Sequence, residues 1–311
     1  MTDHLAVQVR DLRMKFGSRQ VLHGVSFDVH YGEVFCLLGP NDAGKTTTLE
    51  ILEGFRPPTG GTVRVLGLDP AAHAARLRER AGMVLQECGF PRQARVGELI
   101  DMWRSYYPKP RPLNDLLAVV ELDEVRNTQV RKLSGGQRRR LDFALALAGD
   151  PDLVFLDEPT TGFDPEARRR CWAAIENLRK LGKTIVLTTH YLDEAERLAD
   201  RIAILRAGRI ELAGTTQEVA ALAGLATRIS FSTPSALRRG QVPLPQGIDL
   251  AVRGPESVCH TGNPGMTMRL LLDWASEHSL GDLYGLAVTA PSLEDTYLQI
   301  TGSDQANGDH T

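Results

Sequence analysis

The stretch GPNDAGKTT, residues 39–47, spaces its glycines, lysine and threonines as a loop that holds a polyphosphate does. In the pattern G-x-x-x-x-G-K-[ST], successive backbone N–H groups and the start of the following helix surround phosphate oxygens. Gly39, Pro40, Asn41, Asp42, Ala43, Gly44, Lys45, Thr46 and Thr47 therefore form a candidate phosphate cradle. Lys45 is placed to neutralise the outer phosphates and the Thr46 hydroxyl to ligate Mg²⁺. Asp42 is the odd member. Two unit charges about 5 Å apart repel by about 3 kcal/mol at an effective dielectric near 20. Its backbone is less of a problem, because aspartate tolerates the left-handed region better than most residues.

Two further stretches carry chemistry. DLVFLDE, 152–158, ends an apolar strand in Asp157 and Glu158, at the carboxyl end where open α/β sheets place their ligands. Asp157 can bind Mg²⁺ directly or through water. Glu158 can accept a hydrogen bond from a water in line with a γ-phosphate, whose transfer needs mostly positioning and charge neutralisation. The same two acids could instead cap the next helix. LSGGQ, 133–137, puts Ser134, Gly135 and Gly136 ahead of a helix QRRRLDFALALAG, with its first N–H groups bare. That makes a second anion-binding helix terminus.

The elements that must position these residues are legible in the pattern. Leu5 to His30 alternates apolar and polar residues around GSRQ and HYGE, as half-buried antiparallel strands do. Val34 to Leu38 is a strand covered on both faces, entering the loop; Lys45 to Glu53 is the helix leaving it. Residues of about 92–150 read as helical, interrupted at YPKPRP (107–112). DLVFLDE and TIVLTTH are buried strands separated by a helix from about Pro165 to Leu181, which together imply a parallel sheet. Beyond about Leu225, TRISFST, LAVRG and LAVTAP read as strands and MTMRLLLDWASEHSL as an amphipathic helix. SLEDTYLQI reads as a last helix with Ser292 and Asp295 at capping-box spacing.

With these motifs in this order, residues of about 5–220 resemble the nucleotide-binding subunit of an ATP-binding-cassette (ABC) transporter. The implied fold is α/β: a P-loop NTPase core with an antiparallel β subdomain and a helical signature subdomain, followed by a small C-terminal α+β domain. The expected division is 1–224 for the ATP-binding domain, 225–302 for the C-terminal domain and 303–311 for a disordered tail. The resemblance implies that two copies pair head to tail, so that GPNDAGKTT of one and LSGGQ of the other hold the same ATP. In that arrangement Ser134, Gly135, Gly136 and Gln137 contact the partner's nucleotide. Phe16 would stack on adenine, and Gln86 in MVLQE would sense Mg²⁺ and the γ-phosphate. Glu158 would polarise the water, Asp164 in GFD would reach across the dimer, and His190 in LTTH would contact the γ-phosphate.

From the residues alone, Phe16 could equally be a core aromatic and His190 a satisfied structural histidine. The family has glycine where this chain has Asp42. That carboxylate is a solvent-directed turn residue, or meets a basic group within Arg138 to Arg140 of the partner, or slows the site. APSLEDTYLQITG is similar to the end of the C-terminal extension of daunorubicin-resistance-type subunits of type-2 ABC exporters. This resemblance implies an Mg-dependent ATPase with ATP and Mg²⁺ as cofactors, a homodimer in the ATP state and a separately encoded membrane permease. Drug or antibiotic efflux is the cargo it suggests.

Composition agrees with a soluble subunit held at the inner face of the membrane through that permease. The 311 residues carry 36 Lys+Arg against 39 Asp+Glu, which gives no reason to expect nucleic acid as a partner. No run approaches a membrane span, the N-terminus lacks a signal-peptide core, and four dispersed cysteines fit reduced thiols in a cytoplasm. The alternative is a non-transport ABC ATPase acting on the ribosome or nucleic acid. The ribosomal kind carries two cassettes per chain. The DNA-repair kind carries a long coiled-coil insertion, for which the spacer from Lys45 to Leu133 is too short.

Overall fold

The structure, a computed structural model, describes residues 5–84, 91, 93–238, 240 and 242–302. The chain opens with a hairpin of β1 (Leu5–Phe16) and β2 (Arg19–His30), whose alternation buries one face. β3 (Val34–Leu38) leads through the glycine-containing loop into α1 (Lys45–Leu52), and β4 (Gly60–Val65) returns to pair with β1. The result is an antiparallel sheet in the order β2-β1-β4. After α2 (Ala74–Arg78) and β5 (Ala81–Val84) come the helices α3 (Val96–Arg104), α4 (Leu113–Val119) and α5 (Gly135–Ala146). The proline-rich break expected at 107–112 separates α3 from α4. Then follow β6 (Leu153–Asp157), α6 (Pro165–Lys180), β7 (Thr184–Thr189), α7 (Leu192–Leu198), β8 (Arg201–Arg206) and β9 (Arg209–Gly214).

Every residue of β3, β6 and β7 is buried, the signature of strands covered on both faces. They lie inside a six-stranded sheet of order β5-β6-β7-β3-β8-β9, parallel from β5 through β8. The register pairs Leu38 with Thr189 and Asp157 with Thr188. Three strand ends therefore meet at one edge, directly above the start of α1. β8 and β9 are joined by Ala207 and Gly208, both at positive φ, the turn geometry that suits a two-residue hairpin. Phe27 of the antiparallel sheet stacks on Phe35 of the parallel one with ring centroids 5.0 Å apart. Both belong to one apolar cluster with Val7, Leu12, Leu49, Phe155 and Val186, so the two sheets share a core.

The chain divides into two compact units, Met1–Ala213 and Gly214–Thr311. The second therefore begins before the boundary expected at 224/225 and takes in α8 (Thr216–Leu222). It continues through β10 (Thr227–Ser232), α9 (Ser235–Arg238), β11 (Leu250–Arg253), β12 (Glu256–Thr261), α10 (Pro264–Glu277), β13 (Ala287–Thr289) and α11 (Leu293–Gly302). The reason for the earlier boundary is packing, since α8 lies against α11. The four strands form an antiparallel sheet of order β11-β12-β10-β13. Leu271, Trp274 and Ala275 of α10 close its core over Ile229, Phe231 and Cys259. β12 was not foreseen, because ESVCHT interleaves polar residues without a clear period. Ser292 caps α11 reciprocally with Asp295, as the spacing implied. The tail 303–311 lies outside the described residues.

Because Phe35 anchors both sheets, Phe35→Ala is expected to cost about 3–5 kcal/mol in urea unfolding. A loss below about 1 kcal/mol would show that the sheets do not depend on this contact.

Candidate functional site

The loop 39–44 turns sharply because its glycines allow it. A Cβ on Gly39 would stand 2.1 Å from the Leu205 carbonyl oxygen. Gly44, the N-cap of α1, has φ 102, a conformation that L side chains rarely adopt. Asp42 sits at φ 65, so the turn accommodates aspartate in the left-handed region, and its side chain is exposed. α1 carries no acidic residue in its first turn, leaving its positive end undiluted.

Lys45 is 4% exposed. Its ammonium donates to the carbonyls of Gly39 (2.7 Å) and Pro40 (2.9 Å) and pairs with Glu158 Oε1 at 3.2 Å. Thr188, fully buried on β7, organises both acids. Its hydroxyl donates to Asp157 Oδ1 at 2.6 Å and accepts from the Glu158 N–H at 3.0 Å. Glu158 holds a strained φ of 44. Thr161 donates to its Oε2, and His190 Nδ1 stands 3.3 Å from the same oxygen. Burial pushes the Glu158 carboxyl up, but the hydrogen bond and charge of Lys45, helped by Thr161 and His190, outweigh it and hold the group below its ordinary range. Thr46 Oγ1 lies 3.4 Å from Asp157 Oδ1.

Lys45, Thr46, Glu158 and His190 line a cavity of about 630 Å³ with Phe16, Arg19, Val21, Asn41, Asp42, Gly44, Thr47 and Thr161, while Asp157 and Thr188 stand behind it. The structure thus brings together Phe16, the loop residues, Glu158 and His190. Phe16 is 41% exposed, which removes the core-aromatic reading, and the Arg56 guanidinium covers one ring face at 4.7 Å. His190 lines the cavity with its Nδ1 beside the Glu158 carboxylate, which favours the site reading over that of a structural histidine. Asp157 and Glu158 do not cap the next helix; Asp164 does, accepting from the Ala167 N–H at 2.8 Å. Gln86 lies outside the described residues.

Ser134 to Gln137 lie apart from this lining. The helix they open starts at Gly135, two residues earlier than expected, because Ser134 and Gln137 form a reciprocal capping box. The Gln137 N–H is consequently held by Ser134 Oγ rather than bare. Of Arg138 to Arg140, Arg139 is buried and donates to the Pro159 carbonyl at 3.1 Å, and Arg140 pairs with Glu121. Of the three, only Arg138 is exposed.

Thr188, Thr161, Arg19 and Val21 were missed by the sequence reading. Arg19 could have been found, since it is Phe16's pairing partner across the hairpin. Thr188 could not, because nothing in TIVLTTH says which threonine faces β6.

The profile of the ABC transporter family matches residues 22–161. The Nod factor export ATP-binding protein I of Ralstonia nicotianae is 35% identical over 96% of this chain and 94% of its own length. The protein of the same name from Sinorhizobium fredii is 34% identical over 96% of this chain and 87% of its own. A solved structure described as the ATP-binding subunit of an ABC transporter superimposes with a TM-score of 0.64 at 27% identity, covering 70% of this chain and 93% of that one.

Two predictions follow from the charges around α1. Glu53, its C-cap, is 2% exposed; burial, then the charges of Asp157 and Glu50, push its carboxyl up to about 8. The folded state keeps this proton up to about pH 8, while an ordinary glutamate loses it near 4.5, so stability falls as pH rises through that window. Glu53→Gln should therefore gain thermal midpoint over the native chain progressively across it; parallel pH profiles would refute the shift. For Asp42→Gly, nucleotide affinity should rise at low salt by up to about tenfold and converge with the native value at high salt. Equal affinities at both salts would mean that Asp42 acts only as a solvated turn residue.

Proposed function

Because the chain belongs to the ABC transporter family of ATP-binding subunits, an ATPase family, we propose that it is the motor of an exporter whose permease is a separate chain. Two copies close around two ATP, each held between Gly39–Thr47 of one copy and Ser134–Gln137 of the other. Hydrolysis reopens them, and the permease converts this movement into transport. The observation that carries the reading is that one cavity holds Phe16, Lys45, Glu158 and His190, while Ser134 to Gln137 take no part in its lining. Two separate helix starts in a single copy support a head-to-tail pair in which each holds phosphate from one side.

Nucleotide entry redistributes the contacts of one lysine. The Lys45 ammonium leaves Glu158 for the outer phosphates, where the loop N–H groups add their share. Glu158 is then free to accept a hydrogen bond from the attacking water, with Thr161 and His190 still beside it, and His190 faces the γ-phosphate. Phe16 offers adenine the ring face that Arg56 leaves open. Thr46 and Asp157 would hold Mg²⁺, since both supply hard oxygens and these stand 3.4 Å apart. Bound there, the ion would neutralise phosphate charge. Gln86 and Asp164 keep their proposed roles as nucleotide sensor and cross-dimer contact.

Among the described residues no helix is long and apolar enough to cross a membrane, which supports attachment through the permease. The relatives named for Nod factor export support the exporter reading, in which that cargo is an alternative to drug efflux.

Glu158→Gln with saturating ATP should lower turnover by at least about a hundredfold and shift the protein to a stable dimer by light scattering. A protein that stays unpaired, or a native chain whose turnover per molecule is undiminished on high dilution, would refute the shared site.

A further inference from the structure

Behind the cavity lies a carboxylate to which the proposed reaction assigns no role. Glu194 of α7 has no exposed surface. Its Oε1 accepts from the Thr160 hydroxyl at 2.8 Å and from the Trp172 indole N–H at 3.0 Å. Thr189 lies close enough to favour the charged carboxyl, while Oε2 has no hydrogen-bond partner among the described residues. Burial pushes this group up, against Thr189, the hydrogen bonds of Thr160 and Trp172 and the charge of Arg168.

The partners matter because of where they sit. Thr160 follows Glu158 by two residues and precedes Asp164 by four. Thr189 immediately precedes His190, and its hydroxyl also accepts from the Tyr191 N–H at 3.0 Å. Trp172 belongs to α6, the helix that Asp164 caps. One buried group therefore touches the segments that carry Glu158, Asp164 and His190, without reaching the cavity itself. An apolar side chain in its place would leave Thr160 and Trp172 with unpaired donors, an unfavourable arrangement that the backbone would relax by shifting.

We propose that Glu194 is a positioning residue for ATP turnover: its carboxylate ties Thr160, Trp172 and Thr189 together and so sets the separation of Glu158 from His190. This rests on the ATPase reading above. Catalysis is sensitive to small displacements of the groups that align the water, whereas nucleotide binding through the loop and Phe16 is not tied to this network.

The experiment compares the full-length native chain with Glu194→Ala, Glu194→Gln and Thr160→Val, measuring kcat, KM and equilibrium affinity for ATP. Glu194→Ala should lower kcat by about tenfold or more, with KM and affinity within about twofold of native. Glu194→Gln, which retains an oxygen acceptor for Thr160 and Trp172, should recover most of kcat, and Thr160→Val should fall between the two. Unchanged kcat in Glu194→Ala, or a Gln variant as impaired as Ala, overturns the proposal. If Glu194→Ala does not fold, Thr160→Val decides: a kcat within about twofold of native overturns it. A native chain with no turnover overturns this proposal together with the ATPase reading; normal native turnover beside an unimpaired Glu194→Ala overturns this one alone.

Discussion

An ammonium group taken out of water must be met by acceptors, and that requirement at Lys45 orders the whole candidate site. The group is 4% exposed, and its three contacts are the Gly39 and Pro40 carbonyls and the Glu158 carboxylate. The carbonyls hold the loop curled back on itself, while the carboxylate ties it to the end of β6. Together these contacts fix the loop in a curl of the kind that cradles phosphate.

In the proposed reaction the same contact couples binding to chemistry. A nucleotide that drew Lys45 away would release Glu158, while Thr188 holds both acids in place. The backbone strain at Glu158 is tolerated because its N–H is held by the hydroxyl and the carbonyl of Thr188. Around this centre the buried groups are arranged in layers. Thr188 faces the acids directly, whereas Glu194 and Arg139 hold the segment from Asp157 to Thr160 from behind. Arg139 lies in the helix that Ser134 opens. A movement at that helix start therefore has a direct mechanical route to the backbone beside Glu158.

Much of this was legible in the chain because short-range physics specifies it. The apolar runs of β3, β6 and β7, the breaks at glycine and proline, and the loop-to-helix spacing around Lys45 depend on neighbours only a few residues away. The capping pair Ser292 and Asp295 was equally local. The readings that shifted were those where local pattern underdetermines the answer. The helix after Leu133 starts at Gly135 because a reciprocal cap outweighs the low helix propensity of two glycines. β12 escaped notice because its pairing with β10 and β11, rather than its own alternation, makes it a strand.

The sequence by itself determined that a phosphate-binding loop, two consecutive acids at a strand end and a second glycine-rich helix start occur in this order on an α/β chain. Only the tertiary structure decided which of their side chains meet. Phe16 faces a cavity instead of the core, His190 arrives beside Glu158, and Thr188 rather than its neighbours clasps the acids. The physical reason is strand register. Pairing Asp157 with Thr188 and Leu38 with Thr189 aligns the ends of three strands, the first of them more than a hundred residues from the other two. A one-residue slip would send those side chains to the opposite face, and no local pattern encodes that alignment.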